Sequence, residues 1–230
     1  MGIEKNNVFF QYHPFPINRE TPPYKGGDLV VIMKKLQIIQ STCVPLPMEN
    51  IDTDQIIPAR FLNATTREGF GENLFRDWRY NADGSPKTDF ILNDPTYSGE
   101  ILVAGRNFGC GSSREHAAWS LADYGFRVVV SSFFADIFKS NALNNFILPI
   151  QVSEEYLQQV FELLKQDHKA VFEVDLPNQT FHSPKFGLST IFEISPYKKE
   201  CLINGYDDVA YLQSLQPHTE HFENNRKIIF

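Results

Sequence analysis

Three things are scarce in this 230-residue chain: long apolar runs, surplus basic charge, and cysteine. No apolar run approaches the roughly 20 residues that a helix needs to cross a bilayer, so no membrane role is expected. Lysine and arginine number 21 against 28 acidic residues, a net charge of −7. Binding to nucleic acid by counterion release needs clustered cations, so no nucleic-acid partner is expected either. The three cysteines, Cys43, Cys110 and Cys201, are odd in number, far apart and without CxxC spacing. They read as reduced thiols and not as a disulfide frame or metal site. A basic-apolar-small leader is also missing at the start, and a cytoplasmic location is the expectation.

What is present fits an ordinary globular protein: 42% hydrophobic and 21% charged residues, with no repeat and no low-complexity tract. Residues 1–34 carry Pro14, Pro16, Pro22, Pro23, Gly26 and Gly27 without helical or strand period, which reads as a flexible arm. Met33 stands where a natural start would fall, making 1–32 an upstream extension without a catalytic role. A regular pattern begins near Lys35, with Leu36, Ile38 and Ile39 as its first apolar run. One domain is expected over 35–216, then a loosely held tail over 217–230.

Within that domain, Ile101–Ala104, Val128–Ser131 and Ile147–Ile150 are short apolar runs separated by helical stretches, a βαβ signature. A short helix is expected over Phe134–Asn141. Ser153 caps an amphipathic helix with Leu157, Val160, Phe161 and Leu164 on one face. Pro177-Asn178 joins Val171–Leu176 to Thr180–His182 as a hairpin, and Ser189–Ile194 reads as another strand. Ser195-Pro196 starts a helix that Asn204-Gly205 stops. The segment Asn63–Tyr97 is polar, aromatic and rich in turn residues, and reads as a long loop with little regular structure.

The chemistry concentrates in Gly105–Trp119, GRNFGCGSSREHAAW. A strand ends at Ala104 and a helix covers Glu115–Tyr124; Ser112 with Glu115 fits a capping box, which places the helix start at the serines. Amide groups at a helix start carry partial positive charge and suit a carboxylate or phosphate. Gly105, Gly109 and Gly111 let the backbone approach such an anion, and Arg114 adds a permanently charged fork. On the residues alone, Ser112 is as easily a plain N-cap, worth about 1 kcal/mol.

A second cluster, NIDTDQIIPARFL, spans Asn50–Leu62. Asp52 and Asp54 would share a face on an extended strand. An Asx turn leading into a proline-limited loop explains them equally well. A divalent metal is a weak reading, with no histidine or third acid nearby.

Taken together, DTDQIIPARFL (52–62), TREGFGENLFRDWR (66–79), NFGCGSSREHA (107–117) and DYGFRVVVSSFFADIFKSNALNNFILPI (123–150) resemble the small subunits of the 3-isopropylmalate dehydratase family. These are related to the swivelling C-terminal domain of aconitase. The resemblance runs from about Leu36 to about Leu215; Ala118 departs from the proline expected there in bacterial relatives. It implies an α/β fold, a swivelling β/β/α three-layer domain as in aconitase. It also implies a hydro-lyase of leucine biosynthesis, interconverting 2-isopropylmalate and 3-isopropylmalate by dehydration and rehydration. No cofactor is expected on this chain; a 4Fe–4S cluster is expected on a partner large subunit, and a small dicarboxylate as substrate.

By position in the matched motifs, Ser112 is the implied catalytic base. Ser113 and Arg114 are implied to hold a substrate carboxylate, and Asp54 to be an active-site acid. Ile56 and Ile57 are expected to face the substrate and favour a branched alkyl group. Pocket hydrophobics discriminate by only ~1–3 kcal/mol per methylene, so citraconate or dimethylmalate hydratases of the same family stay open. A non-catalytic anion-binding domain of the same fold is the alternative of a different class. Cys110 reads as a packing residue, as do Phe133, Phe134 and Phe138, and His116 as a helix-face residue that hydrogen-bonds locally.

Overall fold

A computed structural model of the chain describes residues 35–63 and 69–225. The N-terminal arm and the last five residues of the tail lie outside these. In chain order the elements are β1 (Ile38–Leu46), α1 (Thr53–Ile56), α2 (Arg76–Arg79), β2 (Ile101–Ala104), α3 (Glu115–Tyr124), β3 (Val128–Ser131), α4 (Asp136–Asn144) and β4 (Leu148–Gln151). Then follow α5 (Glu154–Gln166), β5 (Val171–Asp175), β6 (Thr180–Ser183), β7 (Leu188–Ile191), α6 (Pro196–Asn204), α7 (Asp208–Ser214) and α8 (Gln216–Asn225).

The seven strands form a curled sheet in the order β4-β3-β2-β1-β5-β6-β7. β1 is its pivot. Residues 38–42 pair antiparallel with β5, and Cys43–Leu46 pair parallel with β2. One side is therefore a parallel βαβαβ unit, with α3 and α4 as crossovers between β2, β3 and β4. The other side is the β5–β6–β7 meander. Parallel strands must bury both faces, and these do: every residue of β2 and β3 is buried.

Because strand side chains alternate, the two faces feed two cores. Ile101, Val103, Val128 and Val130 share one with Leu157, Val160, Phe161 and Leu164 of α5, and with Phe172, Val174 and Phe181 of the meander. Leu102, Ala104 and Val129 turn the other way, onto Ala117, Ala118 and Leu121 of α3 and Phe138 and Ala142 of α4. Each such buried aliphatic or aromatic side chain contributes roughly 1.5–3 kcal/mol. The result is the β/β/α layering that the resemblance implies.

α5 forms as its pattern dictates. The Ser153 hydroxyl accepts from Tyr156 N at 3.1 Å, with acids in the first turn and Lys165 in the last. The hairpin and α6 also fall where their turn residues place them.

Elsewhere the structure corrects the expectation. α4 begins at Asp136 and not at Phe134, because Phe134 is held extended by a parallel bridge to Phe108. β7 starts at Leu188 and ends at Ile191, because its partner β6 begins only at Thr180, where Gln179 before it sits at positive φ. The described part of Asn63–Tyr97 has little regular structure, as expected, but it is closely packed. It holds α2 and two 3₁₀ turns, with Leu74 and Phe75 fully buried. Trp78 stacks on Phe75 at 5.4 Å, and the nearly buried Arg79 guanidinium donates to the carbonyls of Gly71 and Leu74. The tail is helical through Asn225, although no residue of α8 is buried.

Candidate active site

The parallel strands β1, β2 and β3 end at Leu46, Ala104 and Ser131, and the segments that leave them meet at one edge of the sheet. Ligands in open α/β folds gather at this carboxyl edge. Here the segment after β2 is clamped from both sides. Toward β1, Gly109 N and Cys110 N donate to Ile51 O at 2.8 and 3.2 Å, and Thr53 N donates to Cys110 O at 2.9 Å. Toward β3, Phe108 N donates to Phe133 O and Ala135 N to Phe108 O, at 3.1 and 3.2 Å. Asn107 Nδ2 donates to Asn50 Oδ1 at 2.8 Å, both residues at positive φ, and closes the base of the turn.

Two glycines make the clamp possible. At Gly109 (φ +75°) a Cβ would sit 2.2 Å from the Phe138 ring; at Gly111 (φ +87°) it would sit 2.0 Å from Asp52 Oδ2. Neither position has room for a side chain.

Asp52 and Asp54 are not on an extended strand. Asp52 is the N-cap of α1, in a capping box: its carboxylate accepts from Asp54 N at 2.7 Å, and its own N–H donates to Gln55 Oε1 at 2.8 Å. Asp52 thus does structural work, as the Asx-turn reading has it. Asp54, in the single turn that Asp52 caps, points across and pairs with Arg114. The Arg114 side chain is 16% exposed and that of Asp54 50%, so the guanidinium is held inward with its partner toward solvent.

The serines do not cap α3. Arg114 occupies the N-cap position with no side-chain cap, and Glu115 is the first helical residue. Glu115 does not close a capping box on Ser112; its carboxylate accepts from Trp119 Nε1 at 3.1 Å and Asn145 Nδ2 at 3.3 Å. What fixes Ser112 is its carbonyl, which accepts from the buried Thr53 hydroxyl at 2.9 Å. The Ser112 and Ser113 hydroxyls are left exposed just ahead of an uncapped helix start. Two hydroxyls, a guanidinium and the amide dipoles of a helix start can hold an anion and stabilise charge that develops beside it.

Ile56 and Ile57 are not at this surface. Both are fully buried, in the core beneath α1, so the expectation that they face a ligand is corrected. The reason is local: with Asp52 capping a helix and Asp54 turned outward, the next two apolar residues turn in. Thr53 and Gln55 are the residues that sequence reasoning missed, and the Asp52-to-Gln55 spacing of three was their signal. Cys110 is half-buried, and burial followed by the Asp52 carboxylate pushes its thiol up, the opposite of the shift that an activated nucleophile needs. His116 packs between Phe70 and Trp119, 5.6 and 4.4 Å away. Among the described residues no three His, Cys, Asp or Glu side chains are grouped to hold a metal, and no helix is long and apolar enough to cross a membrane.

Comparison with known proteins places this geometry. The model of the aconitase C-terminal domain matches residues 33–155. The 3-isopropylmalate dehydratase small subunit of Cytophaga hutchinsonii is 59% identical over 197 residues, covering 86% of this chain and 98% of the relative. That of Christiangramia forsetii is 55% identical over 195 residues, covering 85% and 95%. The crystal structure of 3-isopropylmalate dehydratase (leuD) from Methanocaldococcus jannaschii superposes with a TM-score of 0.59 at 25% identity, over 80% of this chain and 98% of that one. The chain belongs to the family of 3-isopropylmalate dehydratase small subunits, built on the aconitase C-terminal domain.

Proposed function

We propose that this chain is the half of an isopropylmalate isomerase that brings the base and a carboxylate clamp, working in the cytoplasm with a large subunit. The family carries the activity. The observation that carries the residue roles is the exposed Ser112-Ser113 pair beside the inward-held Arg114, at the carboxyl edge of the parallel strands. In this reading residues 35–216 are the working domain, and residues 1–34 add nothing to catalysis.

Arg114 and the Ser113 hydroxyl hold one carboxylate of the alkylmalate. The Ser112 oxygen takes the proton from the carbon next to that bearing the hydroxyl. As that C–H bond breaks, its electron pair forms the C=C bond of isopropylmaleate, and the C–O bond breaks to release hydroxide; that hydroxide and the proton now on Ser112 are together the one water removed. Rehydration in the opposite sense returns the proton to one carbon and places hydroxide on its neighbour. A serine hydroxyl is a poor base unless its surroundings stabilise the alkoxide, and the helix-start amides with Arg114 supply that field. A 4Fe–4S cluster on the large subunit would supply the Lewis acid for the departing hydroxyl. Ile56 and Ile57 act on substrate choice only through the seating of α1.

The test is reconstitution. The chain alone should not turn over 2-isopropylmalate, and mixing with a cluster-loaded large subunit should restore isomerisation. Ser112→Ala in that complex should lose about 10²–10⁴-fold in kcat, the usual contribution of a positioned base. Near-native turnover of that variant would remove Ser112 from the role. Preferential turnover of citraconate or dimethylmaleate would move the assignment to a sister hydro-lyase.

A further inference from the structure

Arg60 and the Arg76-Asp77 pair of α2 are not used by the site above, yet they line a hollow of about 510 Å³ formed by the turn Ala59–Phe61 after α1, by α2 and by the loop from Tyr80 through Lys87. That volume lies within the range of small-molecule sites. Its charge is unusual for a chain of net −7. Arg60 grips Asp77 with both guanidinium nitrogens, 3.0 Å for Nη1 to Oδ2. Lys87 Nζ donates to the main-chain carbonyl of Asp77 at 2.9 Å and leaves the carboxylate to Arg60. Arg76 lies 4.0 Å over the Tyr80 ring, and among the described residues no carboxylate pairs with it. Among the described residues lining this concave site, three cations share one carboxylate.

The Arg60 hydrogen bond holds the Asp77 carboxyl below the usual range, with Lys87 and Arg76 acting in the same direction. All three cations therefore bear on one point. The Arg60 and Asp77 side chains are 54% and 59% exposed, a pair that is weak and open to competition from a ligand.

We propose that this hollow is a second anion site, separate in its residues from the Ser112–Arg114 turn, and that it takes a small dicarboxylate. Two surplus positive charges match two carboxylates. Guanidinium forks favour planar carboxylate groups, and the Phe61 and Tyr80 rings offer apolar wall for a carbon chain. Orthophosphate would fill little of the space.

Calorimetric titration of the purified full-length chain, without the large subunit and at low ionic strength, reads the site directly with succinate and inorganic phosphate as probes. Succinate should bind more tightly than phosphate. Arg76→Gln and Lys87→Gln should each weaken succinate at least fivefold, with no loss of thermal stability. Asp77→Asn should tighten it, because the competing carboxylate is gone. Ser112→Ala should leave it unchanged, which separates this site from the proposed catalytic turn. Absence of succinate binding, indifference to Arg76→Gln and Lys87→Gln, or phosphate binding as tightly as succinate would each overturn the proposal.

Discussion

Arg114 and Asp54, sixty residues apart in the chain, meet as an ion pair that ties the start of α3 to α1. With Asp54 half exposed, the pair should contribute no more than about 1 kcal/mol to stability. Its value lies in aim, since a guanidinium held in place pays less to meet a substrate carboxylate. Asp54→Asn should therefore leave the melting temperature nearly unchanged and lower kcat/KM of the reconstituted enzyme by ~10²-fold, the size of effect that a misplaced clamp produces. If the melting temperature falls in step with activity, Asp54 is a structural residue and not a positioning one.

Gly111 and Gly84 separate backbone strain from steric exclusion. Both have positive φ, +87° and +84°, but a Cβ at Gly84 meets nothing within 4 Å while one at Gly111 would collide with the Asp52 carboxylate. Gly84→Ala should cost only the left-handed penalty of about 1–2 kcal/mol. Gly111→Ala should cost measurably more in denaturant unfolding, and should also abolish turnover, because relief of the clash requires Asp52 to leave the cap of α1. Equal losses from the two changes would show that the Asp52 contact is soft.

The parts legible in the sequence are those decided within a few residues. Ser153, Pro177-Asn178 and Ser195-Pro196 each carry a local signal, and α5, the β5–β6 hairpin and α6 stand where those signals place them. β1 was only faintly visible. Gln40, Ser41 and Thr42 break its apolar pattern, and what makes it a nine-residue central strand is pairing with β5 on one half and β2 on the other. The site divides in the same way. Glycines, serines and Arg114 were readable as an anion turn, because their chemistry is intrinsic. Which serine atom is anchored was not, because a threonine 59 residues earlier decides it. The outward look of Ile56 and Ile57 failed for the same reason, as their burial follows from the Asp52 cap.

The thiols give a pH dependence of known sign. Burial raises the Cys43 thiol far above its usual range, and Cys201 and Cys110 are raised as well, in each case chiefly by burial. A group whose folded pKa is raised stabilises the fold fully below its unfolded pKa, near 8.5 for a thiol, and loses that contribution as pH climbs above it. Stability should therefore fall on the alkaline side from about pH 8.5, and Cys43→Ala should flatten that slope while lowering stability at neutral pH through the cavity it leaves. Under native conditions a thiol reagent should label Cys110 first, since Cys43 and Cys201 are buried. Rapid labelling of Cys43 in the folded chain would contradict this order.

Thr53→Val tests whether the Ser112 backbone must be held from below. The Thr53 side chain is buried, and its hydroxyl donates to Ser112 O at 2.9 Å. Valine keeps the branched shape, so packing around α1 survives, while the Ser112 carbonyl loses its donor. The stability cost should be about 0.5–1.5 kcal/mol, that of one ordinary hydrogen bond. The catalytic cost should appear in kcat more than in KM, because Arg114, still paired with Asp54, continues to bind the carboxylate while the Ser112 oxygen loses its fixed approach to the carbon acid. Thr53→Ser, which restores the hydroxyl but not the methyl group, should recover most of kcat. A Thr53→Ser variant as slow as Thr53→Val would place the effect in the lost methyl packing and not in the hydrogen bond.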